Sequence, residues 1–145
     1  RLIGDAIKDF QPTWPLPKGK FSDFYVLAFD STMNPKAYYY DKPLLILQDS
    51  GSFSASDIFL GGFKGLPNTT LMGTASGGGN GWMESYTLPN TELEVVLCQT
   101  AKFRPTGEPY DGLGVPPDVI MAATPQDHLG KSDTVLDAAV KRLSR

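Results

Sequence analysis

Residues 44–66 read Leu-Leu-Ile-Leu-Gln-Asp-Ser-Gly-Ser-Phe-Ser-Ala-Ser-Asp-Ile-Phe-Leu-Gly-Gly-Phe-Lys-Gly-Leu, and no other stretch limits the possible folds as much. Leu44, Leu45, Ile46 and Leu47 form a short unbroken apolar run, the pattern of a strand covered on both faces. Asp49-Ser50-Gly51 interrupts it. Ser54-Ala55-Ser56-Asp57 then opens a helix, with Ser54 at the cap and Asp57 three positions on. Ala55, Ile58, Phe59, Gly62, Phe63 and Leu66 fall on one face of that helix. A serine at such a turn lies beside free backbone N–H groups and the positive end of the helix dipole. Both would stabilise an alkoxide or an oxyanion. The plainer role for a lone Ser-x-x-Asp is a helix cap, so context beyond the cap has to decide.

Composition removes several classes. At 145 residues, with 41% hydrophobic and 20% charged, the chain supports one core and is short for two domains. A formal charge of −3 gives no basic footprint, so no nucleic acid is expected as partner. No apolar run approaches membrane-spanning length, and neither a span nor a signal peptide is expected. Cys98 is the single cysteine, which rules out an intrachain disulfide. Its place in the apolar run Leu93 to Cys98 predicts a small core residue. The run from Gly73 to Gly81 has five glycines but neither the Gly-Lys-Ser/Thr ending of a phosphate loop nor the helix of a dinucleotide fingerprint. A flexible rim loop is the reading there. No His/Cys/Asp cluster has metal-ligand spacing, so neither metal nor cofactor is expected. The chain opens Arg-Leu-Ile-Gly-Asp without a start methionine, and the expectation is that it is part of a longer polypeptide.

One domain over 1–145 is expected, with an irregular lead-in at 1–37 and a core at 38–145. In the lead-in, Leu2, Ile3, Ala6, Ile7 and Phe10 predict a turn or two of amphipathic helix. Pro12, Pro15 and Pro17 then break regular structure. Residues 24–29 read as a strand, Asn34-Pro35 as a turn, and Tyr38-Tyr39-Tyr40 as aromatics packed on the sheet. Further strands are expected at Thr69 to Met72 and Val119 to Met121. Trp82 to Thr87 and Glu92 to Thr100 read as a hairpin turning at Pro89-Asn90. Ser132 or Asp133 caps a last helix striped by Val135, Leu136, Ala139, Val140 and Leu143.

Lys42-Pro43-Leu44-Leu45-Ile46-Leu47 followed by Ser52-Phe53-Ser54-Ala55-Ser56-Asp57-Ile58-Phe59 resembles the nucleophile segment of the C-terminal-processing (tail-specific) peptidases. In the same order, Leu71 to Gly79 resembles that family's glycine loop, Phe103-Arg104-Pro105-Thr106-Gly107 its Thr-Pro-x-Gly element, and Asp111 to Val119 its Gly-x-Gly-Val-x-Pro-Asp signature. Residues 124–129 and 133–143 match its tail helix. The resemblance implies an α/β fold, the C-terminal half of a ClpP/crotonase-like core. It also implies a serine peptidase acting on peptides or unfolded and C-terminal protein segments, located outside the cytoplasm. Ser54 would be the nucleophile, Ala55 N–H an oxyanion donor, and Gly77, Gly78 and Gly79 the border of the substrate cleft.

The loop departs from the family's commonest pattern. The dyad lysine would stand near Gly79, and no lysine occurs between Gly65 and Ala101. Lys64 is ten residues past Ser54, nearly three helical turns away, and cannot reach its hydroxyl. The resemblance then narrows to a tricorn-core-like variant, in which a histidine from upstream sequence activates the serine. Asp111 would orient that imidazole, or be only the Asp of an Asp-Gly turn. His128, the single histidine, lies in a solvent-facing connection and is not the expected base. Lacking the upstream base and second oxyanion donor, the fragment alone is expected to be nearly inert. A non-catalytic ligand- or peptide-binding module of the same fold, similar to interphotoreceptor retinoid-binding protein, is the alternative.

Overall fold

The computed structural model describes residues 3–13, 22–27, 40–104 and 106–144. In chain order these form strands β1 (Ile3–Ile7), β2 (Phe24–Leu27) and β3 (Leu44–Gln48), then helix α1 (Ala55–Phe63). Strands β4 (Thr69–Gly73), β5 (Met83–Thr87), β6 (Glu94–Cys98) and β7 (Val119–Ile120) follow, and helices α2 (Pro125–His128) and α3 (Thr134–Leu143) close the chain.

A parallel three-stranded sheet in the order β3-β4-β7 makes this a mixed α/β fold. β3 and β4 run in register from Leu44 opposite Thr69 to Gln48 opposite Gly73, and β7 sets Val119 against Met72. A parallel pair needs a crossover, and α1 supplies it. Leu60, Leu71, Tyr110 and Val115 form the buried core, with Ile46 and Phe63 packed against it. α3 lies on β3 and β4 and begins at Asp133, whose carboxylate accepts the Leu136 N–H at 2.9 Å.

The expected strands and the main helix are present, while several packing expectations change. The amphipathic helix predicted over Leu2 to Phe10 is instead a strand, β1, because antiparallel pairing with β2 satisfies its backbone. Phe10, Phe24 and Phe103 stack at centroid distances of 4.9–5.9 Å, and Thr13 N–H donates to Gly107 O at 2.8 Å. These contacts seat the lead-in on the 103–109 turn. Pro15, Pro17, residues 28 and 29, Asn34-Pro35, Tyr38 and Tyr39 lie outside the described residues. Tyr40 is exposed rather than packed on the sheet.

β3 is half-buried, with Leu47 facing out, so it is not covered on both faces. On α1 the buried positions are Asp57 and Leu60, while Phe59 and Leu66 of the predicted apolar face are exposed. On α3 only Ala139 of the stripe is fully buried. Cys98 is exposed, contrary to a core role, because among the described residues β5 and β6 pair only with each other. Its thiol donates to Thr100 O at 3.1 Å.

Candidate active site

Ser54 stands at the N-cap of α1, immediately before its first residue, and is exposed to solvent. Its backbone sits at φ 62° and ψ −115°, a left-handed conformation that a side chain with Cβ rarely takes. Ser54 and Asp57 are arranged as a capping box, of which only the half through the Ser54 N–H is a full hydrogen bond. Ser54 N–H donates to Asp57 Oδ2 at 2.9 Å, while the Ser54 hydroxyl makes no bond to the helix end. The hydroxyl sits in a capping position without a full cap hydrogen bond. It stands at the positive end of a nine-residue helix. Ala55 is the first helical residue, so its N–H is one of the donors a helix start leaves free.

Asp57 is the residue that sequence reasoning undervalued. An acid at the third helical position reads as a cap partner, and nothing in its spacing shows that it is fully buried. Its Oδ1 accepts from Ser76 Oγ at 2.5 Å and Gly78 N–H at 3.1 Å, and its Oδ2 also takes Gly79 N–H at 3.2 Å. One carboxylate thus ties the Ser54 turn to the glycine loop. Gly77 N–H adds a bond to Ser52 O at 2.8 Å. The loop read as a flexible rim is pinned on its inner side.

The loop is also interlocked with the segment after Tyr110. Ser76 Oγ accepts from Val115 N–H at 2.7 Å, and Gly112 N–H donates to Gly78 O at 2.7 Å. Gly78 has φ +67°, and a Cβ there would stand 2.5 Å from Gly114 N and 2.8 Å from Tyr110 O. Only glycine allows this approach. Tyr110 packs over Gly61 of α1 and is raised above the ordinary tyrosine value, mainly by burial, with the nearby Asp57 charge adding and Arg104 opposing.

Asp111 is brought to this same loop: its Oδ1 accepts from Asn80 N–H at 3.0 Å. Asn80 is buried, and its Oδ1 accepts from Lys102 Nζ at 3.2 Å. Lys102 is a second residue that sequence reasoning passed over: it lies beyond the hairpin, just before the Phe103 to Gly107 element, and its spacing joins it to no site residue. His128 is exposed at the end of α2, the solvent-facing position expected for it. Lys64 is engaged elsewhere, bound to Asp118 at 2.5 Å. Among the described residues no group of histidine, cysteine and acidic side chains could hold a metal ion. No helix among them is long and apolar enough to cross a membrane.

Comparison with known proteins gives this geometry its relatives. The family model "Peptidase family S41" matches residues 7–121. A carboxy-terminal-processing protease of Bartonella bacilliformis is 30% identical over 97 residues, 66% of this chain. The chain spans only 21% of that relative's length. Among solved structures, a candidate peptidase of Parabacteroides merdae is similar with a TM-score of 0.67 at 26% identity, covering 83% of this chain and 36% of that one. The tricorn protease is similar with a TM-score of 0.58 at 26% identity, covering 70% of this chain and 10% of its own.

Proposed function

The chain belongs to peptidase family S41, and from that we propose that it carries the nucleophile of a serine-type peptidase acting on peptides or on unfolded and C-terminal protein segments. The observation that carries the reading is Ser54, exposed in a strained turn at a helix N-terminus with its hydroxyl unoccupied by capping. In this reading Ser54 Oγ attacks the scissile carbonyl and the Ala55 N–H stabilises the developing oxyanion. Gly77 to Gly79 border the cleft, and Asp111 orients an imidazole supplied by other sequence of the same polypeptide. The fold proposed is the C-terminal half of a ClpP/crotonase-like core, in one domain over 1–145. Residence outside the cytoplasm belongs to the same proposal and rests on family resemblance.

One donor of an oxyanion hole is worth about 3 kcal/mol in the transition state. A chain holding one donor and no base is therefore nearly inert alone. The test is labelling of the full-length polypeptide with a fluorophosphonate. Modification at Ser54, lost together with turnover in Ser54→Ala, is the expected result. Labelling that survives Ser54→Ala would move the role to Ser52 or Ser56.

One observation favours a second reading. The glycine loop has no lysine between Gly65 and Ala101, which removes the common Ser–Lys chemistry. A non-catalytic module that binds peptide or apolar ligand in the same cleft would show binding without labelling.

A further inference from the structure

Between Gly77 and Gly81 the glycine loop contains one side chain, that of Asn80. Glycines impose no conformation of their own, and beside the backbone bonds that pin Gly77, Gly78 and Gly79 this side chain is a further hold on the peptide that meets Asp111. Asn80 is 4% exposed, and its backbone N–H donates to Asp111 Oδ1 at 3.0 Å. Its side-chain Oδ1 accepts from Lys102 Nζ at 3.2 Å. An ammonium group can only donate, so this contact sets which end of the amide faces Lys102. The Nδ2 end is then buried without a hydrogen-bond partner among the described residues. In this orientation the amide oxygen accepts from the ammonium, which the NH₂ end could not do.

Lys102 grips Asp111 from a second side. Its own carbonyl accepts the N–H of Tyr110, the residue before Asp111, at 3.0 Å. The Tyr110 carbonyl in turn takes Gly114 N–H at 2.8 Å, closing the turn that carries Asp111. One residue thus binds both the loop that donates to the carboxylate and the segment that bears it. We propose that Lys102 is a positioning residue: acting through Asn80, it fixes the carboxylate of Asp111 in the orientation needed to hold the activating imidazole. This rests on the proposed role of Asp111. In this role Lys102 acts through Asn80 and the Tyr110 segment rather than on the substrate itself.

The test compares fluorophosphonate inactivation of the full-length protein across Lys102→Met, Lys102→Arg, Asn80→Ala, Asp111→Asn and the double variant Lys102→Met/Asp111→Asn. Lys102→Met should lower the maximal inactivation rate about tenfold, the size of coupling within one hydrogen-bond network, with the reagent's half-saturating concentration unchanged. Lys102→Arg should restore most of the rate. Asn80→Ala, which keeps the backbone N–H but removes the ammonium's acceptor, should match Lys102→Met and stands in for it if that variant loses its cooperative thermal transition. In the Asp111→Asn background, Lys102→Met should cost nothing further. Full additivity, or a change confined to the half-saturating concentration, would overturn the proposal. So would normal rates in both Lys102→Met and Asn80→Ala while Asp111→Asn is impaired. Normal rates in Asp111→Asn, with Ser54→Ala inactive, would instead remove the role of Asp111 itself, and the proposal with it.

Discussion

The backbone is strained at Ser54, the residue proposed as nucleophile. A φ of 62° costs any residue with Cβ on the order of 1 kcal/mol or more, and glycine is exempt. Ser54→Gly should therefore raise stability by about 1 kcal/mol in urea unfolding while abolishing labelling, whereas Ser54→Ala should leave stability nearly unchanged. A glycine variant no more stable than the alanine one would show that the turn is unstrained. Asp57 is the opposite case, since its loss should harm both folding and the site. Four donors converge on its two oxygens, and an asparagine would turn an NH₂ group toward some of them. Asp57→Asn should cost about 2–4 kcal/mol and slow labelling of Ser54, because the loop and the serine turn lose their common anchor.

At the level of elements, α1 is tied to the sheet by one ion pair. Asp118, just before β7, accepts the Leu71 N–H of β4 at 2.8 Å and the Lys64 ammonium from the end of α1. Partial burial pushes its carboxyl up, but these two bonds and the Lys64 charge outweigh it, and the net value is below the ordinary one. The folded state therefore binds this proton less readily than the unfolded chain. Stability from Asp118 is present above the ordinary carboxyl range and is lost as pH falls below about 4 toward the depressed value. The acid-side fall in urea midpoint should be shallower in Asp118→Asn than in the parent. The interlock of the glycine loop with the Gly112–Val115 segment is stricter. Gly78→Ala meets both a positive φ and backbone atoms of Gly114 and Tyr110, and should cost about 2 kcal/mol or more by thermal unfolding.

For the whole molecule, stability is unevenly spread. The core cluster sits between α1, β4 and the Tyr110–Val115 segment, whereas β5 and β6 form a separate two-stranded ribbon. Trp82, Met83, Leu93, Val96 and Leu97 along that ribbon are all more than half exposed. Two strands without a covering layer are marginal in water. Backbone amides of β5 and β6 should exchange with solvent well before those of β3 and β4, and the isolated chain should bind a hydrophobic dye. Equal protection of the two sheets would refute this.

The sequence by itself determined the local units. An apolar run, a Ser-x-x-Asp start and glycine punctuation fixed β3, the Ser54 turn and α1, because these depend on neighbours along the chain. The hairpin, the strand before Met121 and the Asp133 cap were legible for the same reason. What faces what was decided only in three dimensions. Periodicity put Phe59 and Leu66 on a buried face, yet packing chose Asp57 and Leu60, because the glycine loop brings donors that an apolar side chain could not satisfy. Lys102 and Asn80 are separated by a whole hairpin, and no spacing rule joins them. Ile3 to Ile7 could pair as strand or coil as helix, and β2 settled it. Local propensity is additive along the chain, while a buried polar network exists only where distant segments meet.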